Sequence, residues 1–279
     1  MCAKLLLAAL LASTSPLSPS VMAGPSGGSA AERPDGSGTR PTDVWPSGTR
    51  PSDEPYLYRI LLVRAAPGRL LDLIERFQLR MAAYEAAGEG RSHIMRHSQG
   101  DQWDLMLIFP MGDFERFYAP ERTERRNEAL GGAGGVGREW RDQLDALVAS
   151  REDLFVWGPP PDRLEARFDG MRFYHVEMFV ALPGRREDLL RQREMENDYL
   201  KMTDRPPNLI FTREGGAPWD VVSLGFYRDL QHFAERSDLT PEQADEAARA
   251  VGFKASNRIG TYLRTLIDYH HDTLAVAVE

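Results

Sequence analysis

Four polar side chains stand where an amphipathic chain would be expected to place oil. His175 and Glu177 lie two apart in an otherwise apolar run, Phe173 to Val180, and Arg193 and Asn197 lie four apart in the segment that follows. On a strand, His175 and Glu177 would share one face; on a helix, so would Arg193 and Asn197. An imidazole beside a carboxylate can act as general acid or base near neutral pH, with the carboxylate fixing the ring's tautomer. Arg213 and Tyr227 could add donors to an anionic or enolate-like ligand. The candidate catalytic pair is therefore His175 and Glu177, and the candidate ligand-binding set is Arg193, Asn197, Arg213 and Tyr227. A plainer reading of the same residues is an internal salt bridge, Glu177 with Arg193, flanked by Asn197.

These positions stand out because the chain repeats itself. Tyr58, Pro67-Gly68-Arg69, Trp103-Asp104, Asp113 and Phe117 return as Tyr174, Pro183-Gly184-Arg185, Trp219-Asp220, Asp229 and Phe233, at a constant offset of 116 residues. At that offset Leu61 becomes Glu177, Phe77 becomes Arg193, Met81 becomes Asn197, Leu107 becomes Ser223 and Arg59 becomes His175. A charge on a core-facing stripe costs several kcal/mol unless it finds a partner. A polar ligand cavity would offset that cost, and so would a buried ion pair.

The elements that must hold these residues can be read from the repeat. Tyr58 to Val63 and Phe173 to Val180 are apolar enough for strands, and each runs into a Pro-Gly-Arg turn. Leu70, Leu73, Ile74, Phe77, Met81 and Tyr84 recur at spacings of three and four, which predicts a helix; its counterpart spans Arg186 to about Met202, where Arg205-Pro206-Pro207 forbids continuation. Hairpins are expected from His93–His97 with Trp103–Phe109, and from Leu209–Arg213 with Trp219–Tyr227. Short helices (Asp113–Tyr118, Asp229–Glu235), a polar excursion, a second helix and a closing strand (Asp153–Trp157, Asp272–Val278) complete each copy. The order β-α-β-β-α-β is the ferredoxin-like split motif. Because its strands are apolar on both sides, each sheet needs a second cover. The expected fold class is α+β: two tandem ferredoxin-like domains, 56–160 and 171–279, packed as an intramolecular pseudo-dimeric α+β barrel.

Other chemistry is weakly signalled. His175, Glu177 and the pair His270-His271 could supply the ligands of an open iron or zinc site. The closing strand is expected at a sheet edge beside the third strand, away from the first, so no metal site is expected. Haem held by a single histidine, His175 or His232, stays open, although no attachment motif is present; no cofactor is favoured. His93 and His97 alternate on a hairpin strand and read as half-exposed. The run Gly131 to Gly137 lacks the lysine of a phosphate-cradling loop, and no Gly-x-Ser-x-Gly elbow between an expected strand and helix supports hydrolase chemistry.

The formal net charge is −8, which disfavours nucleic acid as a partner. Lys4, the apolar run Leu5 to Ala12 and the small residues of Val21-Met22-Ala23 read as a signal peptide, 1–23, cleaved before Gly24. The apolar run is too short to span a membrane, and the mature chain is expected to be exported, periplasmic or extracellular. Cys2 is the only cysteine, and cleavage would remove it. Residues 24–55, rich in Gly, Pro, Ser and Thr, read as a disordered linker.

The pattern of Tyr, apolar strand, Pro-Gly-Arg, helix and Trp-Asp hairpin resembles the dimeric α+β barrel superfamily, especially its NIPSNAP-like and antibiotic-biosynthesis-monooxygenase-like members. Arg125-Arg126-Asn127 and Glu139-Trp140 are similar to the tail of NIPSNAP-like domains. The superfamily holds cofactor-free monooxygenases, haem-binding enzymes and small-molecule isomerases, and no catalytic motif of any one of them is matched. The resemblance therefore implies a small-molecule-binding or scaffold module, with a homo-oligomer compatible. The alternative is a cofactor-free or haem-dependent oxidoreductase, monooxygenase-like, acting on an aromatic small molecule.

Overall fold

A computed structural model describes residues 55–131 and 136–278. The expected signal peptide, nearly all of the linker and most of the glycine-rich run lie outside the described residues. Strand β1 (Tyr56–Ala65) leads to helix α1 (Leu70–Ala86), strands β2 (His93–Gln99) and β3 (Leu105–Gly112), helices α2 (Phe114–Phe117), α3 (Pro120–Ala129) and α4 (Val136–Asp145), and strand β4 (Val148–Gly158). Helix α5 (Pro161–Phe168) bridges to the second copy. That copy runs β5 (Phe173–Ala181), α6 (Arg186–Met202), β6 (Leu209–Gly216), β7 (Val221–Tyr227), α7 (Leu230–Ala234), α8 (Pro241–Ala250), a 3-10 turn at Ser256–Arg258, α9 (Ile259–Leu263) and β8 (Ile267–Ala277).

All eight strands join one closed antiparallel barrel in the order β1-β3-β2-β8-β5-β7-β6-β4. The copies meet edge to edge along two seams. At one, β2 pairs with β8 (Met95↔Ala277, His97↔Ala275); at the other, β4 pairs with β6 (Leu154↔Gly216, Trp157↔Thr212). Each seam depends on a glycine. Gly100 and Gly216, related by the repeat, have φ of 119° and 91°, and a Cβ on either would lie 2.2 Å from the carbonyl oxygen of Asp272 or Asp153. Only glycine tolerates both that conformation and that approach.

One sequence expectation is corrected here. The closing strands do not lie beside the third strands; β4 pairs with β1 and β8 pairs with β5 over most of their lengths. They are also longer than expected, reaching back to Val148 and Ile267. The reason is that each third strand already has both edges filled within its own copy, β3 by β1 and β2 and β7 by β5 and β6, so the closing strand takes the free edge of the first strand and meets the other copy on its far side.

Strand alternation then sorts the side chains. Tyr58, Ile60 and Leu62 of β1, Tyr174, Val176 and Met178 of β5, and Val222, Leu224 and Phe226 of β7 fill the barrel with Trp103 and Trp219. The opposite faces lie beneath the helices: Leu73 and Phe77 of α1 cover Leu61, Val63 and Leu107, while Leu189 of α6 meets Phe179 and Val221.

The duplicated residues turn out to be scaffolding. Asp104 and Asp220 accept hydrogen bonds from the backbone N–H of Ala65 (2.8 Å) and Ala181 (3.0 Å). Asp113 and Asp229 cap α2 and α7 by accepting from the N–H of Arg116 and His232. The Tyr58 and Tyr174 hydroxyls donate to the Pro159 and Met171 carbonyls. Thr240 and Gln243 form a capping box at the start of α8. What the copies share is thus needed for folding, and chemistry has to be sought where they differ.

Candidate functional site

The strand β5 places His175, Glu177 and Phe179 on its outer face, away from the barrel interior and beneath α6. His175 stands opposite Gly225 of β7 and Leu274 of β8, and Glu177 stands opposite Ser223 and Asp272. Glycine and serine at those positions leave room that Phe109 and Leu107 fill in the first copy. Into this room α6 inserts Arg193, 3 % exposed. Its Nη1 donates to Glu177 Oε2 at 3.3 Å and its Nε to Gln192 Oε1 at 2.7 Å, while Nη2 bonds Glu196. The guanidinium also lies over the Phe179 ring, 4.8 Å from its centroid.

The predicted residues separate into three groups. His175, Glu177 and Arg193 are brought together, and Tyr227 lies on the same face of β7, its ring 5.1 Å from that of Phe233, which in turn is 5.4 Å from His175. Asn197 is spent on folding: its amide donates to the Asn208 carbonyl and accepts from the Asn208 N–H, both at 2.8 Å, fixing the loop after the two prolines. Arg213 is anchored at the Trp-Asp hairpin by a 2.7 Å bond to Asp220.

Asp272, which the sequence marks only as the start of the closing strand, completes the cluster. Its Oδ1 lies 2.6 Å from His175 Nε2, and its Oδ2 lies 3.5 Å from His270 Nε2. One ligand atom each from His175, Glu177 and Asp272 falls within 4.8 Å of the others. Burial, the largest single influence on each, pulls the Asp272 carboxyl up and the His175 ring down, but their mutual hydrogen bond together with the neighbouring charges (Glu177 and Glu196 around His175, His270 beside Asp272) outweighs it, so Asp272 sits below its ordinary range and His175 above. Burial raises Glu177, against the pull of Arg193 and His175.

The residues do not fit haem. A porphyrin needs a broad apolar slot beside its axial histidine, and His175 is walled by Glu177, Arg193, Glu196 and Asp272. His232 accepts a hydrogen bond at Nδ1 from the Arg228 N–H and lies against Tyr227.

A second site lies where the copies join. Between α1, β2, α5 and the end of β8 is a cleft of about 550 Å³, lined among others by Arg91, His93, Phe168, Arg172 and Tyr174. His93 is not half-exposed, as its alternation suggested. It is buried, stacked on Phe168 with ring centroids 3.9 Å apart, and its Nε2 has no hydrogen-bond partner among the described residues. Burial pushes its pKa down to about 4, so it is neutral at physiological pH. Helix α5 falls between the two expected domains, in a stretch for which no element is expected from the sequence. The signal was Pro160-Pro161 followed by Leu164 and Phe168, a helix start and an i,i+4 apolar pair.

No family model matches the chain, and no curated protein matches it. Several solved structures resemble it. An anthrone oxidase-like protein aligns over 81% of this chain and 92% of its own, at 13% identity and a TM-score of 0.49. A putative monooxygenase from Lactobacillus acidophilus aligns over 80% and 94%, at 9% identity and 0.43. A heme-binding protein from Thermus thermophilus aligns over 81% and 93%, at 12% identity and 0.39. The barrel assignment stands on the strand pairings themselves, and no chemistry is transferred from these proteins.

Proposed function

We propose that the protein is a small-molecule-binding barrel whose ligand occupies the cleft between the two copies. The observation that carries this reading is the cleft itself: its volume lies within the usual range of ligand sites, and it joins an aromatic floor to a few polar groups. His93 and Phe168 offer a stacked pair, Tyr174 adds a third ring, and Arg91, Ser92, Asp169 and Glu85 add polar groups to the lining. A compact, partly aromatic compound with a polar substituent matches that lining. The finer likeness to NIPSNAP-like and antibiotic-biosynthesis-monooxygenase-like proteins rests on motifs that serve the scaffold, so it supports the barrel more than any activity. Export belongs to the same proposal, on the strength of Lys4, the Leu5–Ala12 run and the small residues before Gly24; protein found only inside the cell, with residues 1–23 still attached, would refute that part.

The test uses the dye 1-anilinonaphthalene-8-sulfonate as the probe. Saturable, one-to-one fluorescence enhancement is expected from the full chain. Ala82→Trp projects an indole into the cleft from the exposed side of α1, and is expected to weaken the dye at least tenfold while leaving the melting temperature unchanged. Equal dye affinity in that variant would overturn the assignment.

A further inference from the structure

We propose that His175, Glu177 and Asp272 form a binding site for a divalent transition-metal ion, separate from the ligand cleft. The expectation against a metal rested on distance between the first and closing strands, and that distance does not exist. β5 and β8 are hydrogen-bonded neighbours, with Glu177 directly opposite Asp272 and His175 one pleat away on the same face. Three candidate ligand atoms converge within 4.8 Å. Metal–ligand bonds of about 2.0–2.2 Å require ligand atoms roughly 3–3.5 Å apart, which small side-chain rotations would supply. All three residues sit on paired strands, the rigid support that a metal site needs.

The comparison between copies gives an independent argument. In the first copy the same register holds Arg59, Leu61 and Asp153, and Arg59 pairs directly with Asp153. That pair carries its own permanent cation. In the second copy the arginine is an imidazole, the leucine is a carboxylate, and Arg80 of the helix above has become Glu196. Glu177 and Glu196 then share one guanidinium, Arg193, while Asp272 pairs with the imidazoles of His175 and His270. The permanent cation that the first copy sets against Asp153 is replaced at Asp272 by an imidazole, which can ligate a divalent ion instead.

The donor set of one imidazole and two carboxylates suits zinc, manganese, iron(II) or cobalt, which accept nitrogen and oxygen ligands together. His270 holds the second oxygen of Asp272 and is itself stacked on Phe179, the outer partner that orients a ligating carboxylate. The Asp272 side chain is 54 % exposed, giving the ion a way in, whereas Glu177 and His175 are largely covered. Glu177 keeps its contact to Arg193 through Oε2, leaving Oε1 for the ion.

The experiment is titration of tag-free, metal-stripped full chain with Co²⁺, read by visible absorption, and with Zn²⁺, read by calorimetry. One ion per chain is expected, with cobalt bands typical of mixed nitrogen and oxygen ligands. Asp272→Asn should weaken both ions at least tenfold. His175→Arg should abolish the cobalt bands while holding the melting temperature, because it reinstates the Arg–Asp pair that the first copy already folds with. His271→Ala, which removes an imidazole bonded to Asp101 on the inner side of β8, should change affinity less than twofold. Absence of stoichiometric binding in the wild type would overturn the proposal. So would equal binding by Asp272→Asn and His175→Arg, which would assign the ion to other histidines.

Discussion

Glu89 shows how much a single buried carboxylate can carry in this fold. It accepts from both Arg122 and Arg126, whose guanidiniums also bond the Met111 and Phe117 carbonyls. Burial would raise its pKa, but the two arginines outweigh burial and hold it low. A depressed carboxylate lends stability above its unfolded pKa, near 4.3, and loses it as pH falls through the folded value. Glu89→Gln should therefore cost about 3 kcal/mol at pH 7 and flatten the loss of melting temperature seen below about pH 4.3. His93 acts in a higher window. Its pKa of about 4 in the folded state lies under the unfolded value near 6.5, so stability falls as pH drops between the two. His93→Phe should remove that part of the acid sensitivity, and the His93 ring proton should not titrate above pH 5 by NMR. At Glu177 and Arg193 the single variants are expected to diverge from the double. Arg193→Phe strands two carboxylates and should cost about 3–5 kcal/mol. Glu177→Leu with Arg193→Phe copies the first repeat and should melt close to wild type. A severe defect in the double would show the two helix–sheet layers to be inequivalent.

At the level of elements, the long helices, the hairpins and the Trp-Asp turn were legible because each is dictated by local patterns: apolar spacing, Pro-Gly turns and caps within a few residues. The strand neighbours were less so. Whether β8 lies beside β5 or β7 depends on which strand keeps a free edge once β7 has β5 and β6 on its two sides, and no local period encodes it. The polar cluster was half visible for the same reason. His175, Glu177 and Arg193 announced themselves by replacing apolar residues, but Asp272 has its counterpart in Asp153 and so drew no notice. The orientation of β5 followed the same logic: alternation gives two faces but does not say which one the barrel encloses. The seams themselves can be tested. Gly216→Ala forces a side chain into a positive-φ position against the Asp153 carbonyl and should cost about 2 kcal/mol or more. Gly68→Ala, also at positive φ but with no atom within 4 Å of its Cβ, should cost less, about 1 kcal/mol. Equal losses in the two would show that the seam contact contributes nothing.

For the whole molecule, closure of the barrel through two inter-copy seams makes the halves mutually dependent. The interior is shared: Tyr58 of the first copy meets Phe211 of the second edge-on, with centroids 5.8 Å apart. A single calorimetric transition is expected for the full chain. Residues 55–160 alone, stripped of that lining, should give no cooperative monomeric melt. Two separate transitions in the intact chain would contradict this account.

Joining the halves in one polypeptide also changes what substitution can achieve. In an assembly of identical subunits every new charge is made in duplicate, and a residue useful on one side has to be tolerated on the other. Here a histidine can be placed at 175 while an arginine stays at 59. One half can remain a conservative frame while the other is free to acquire chemistry.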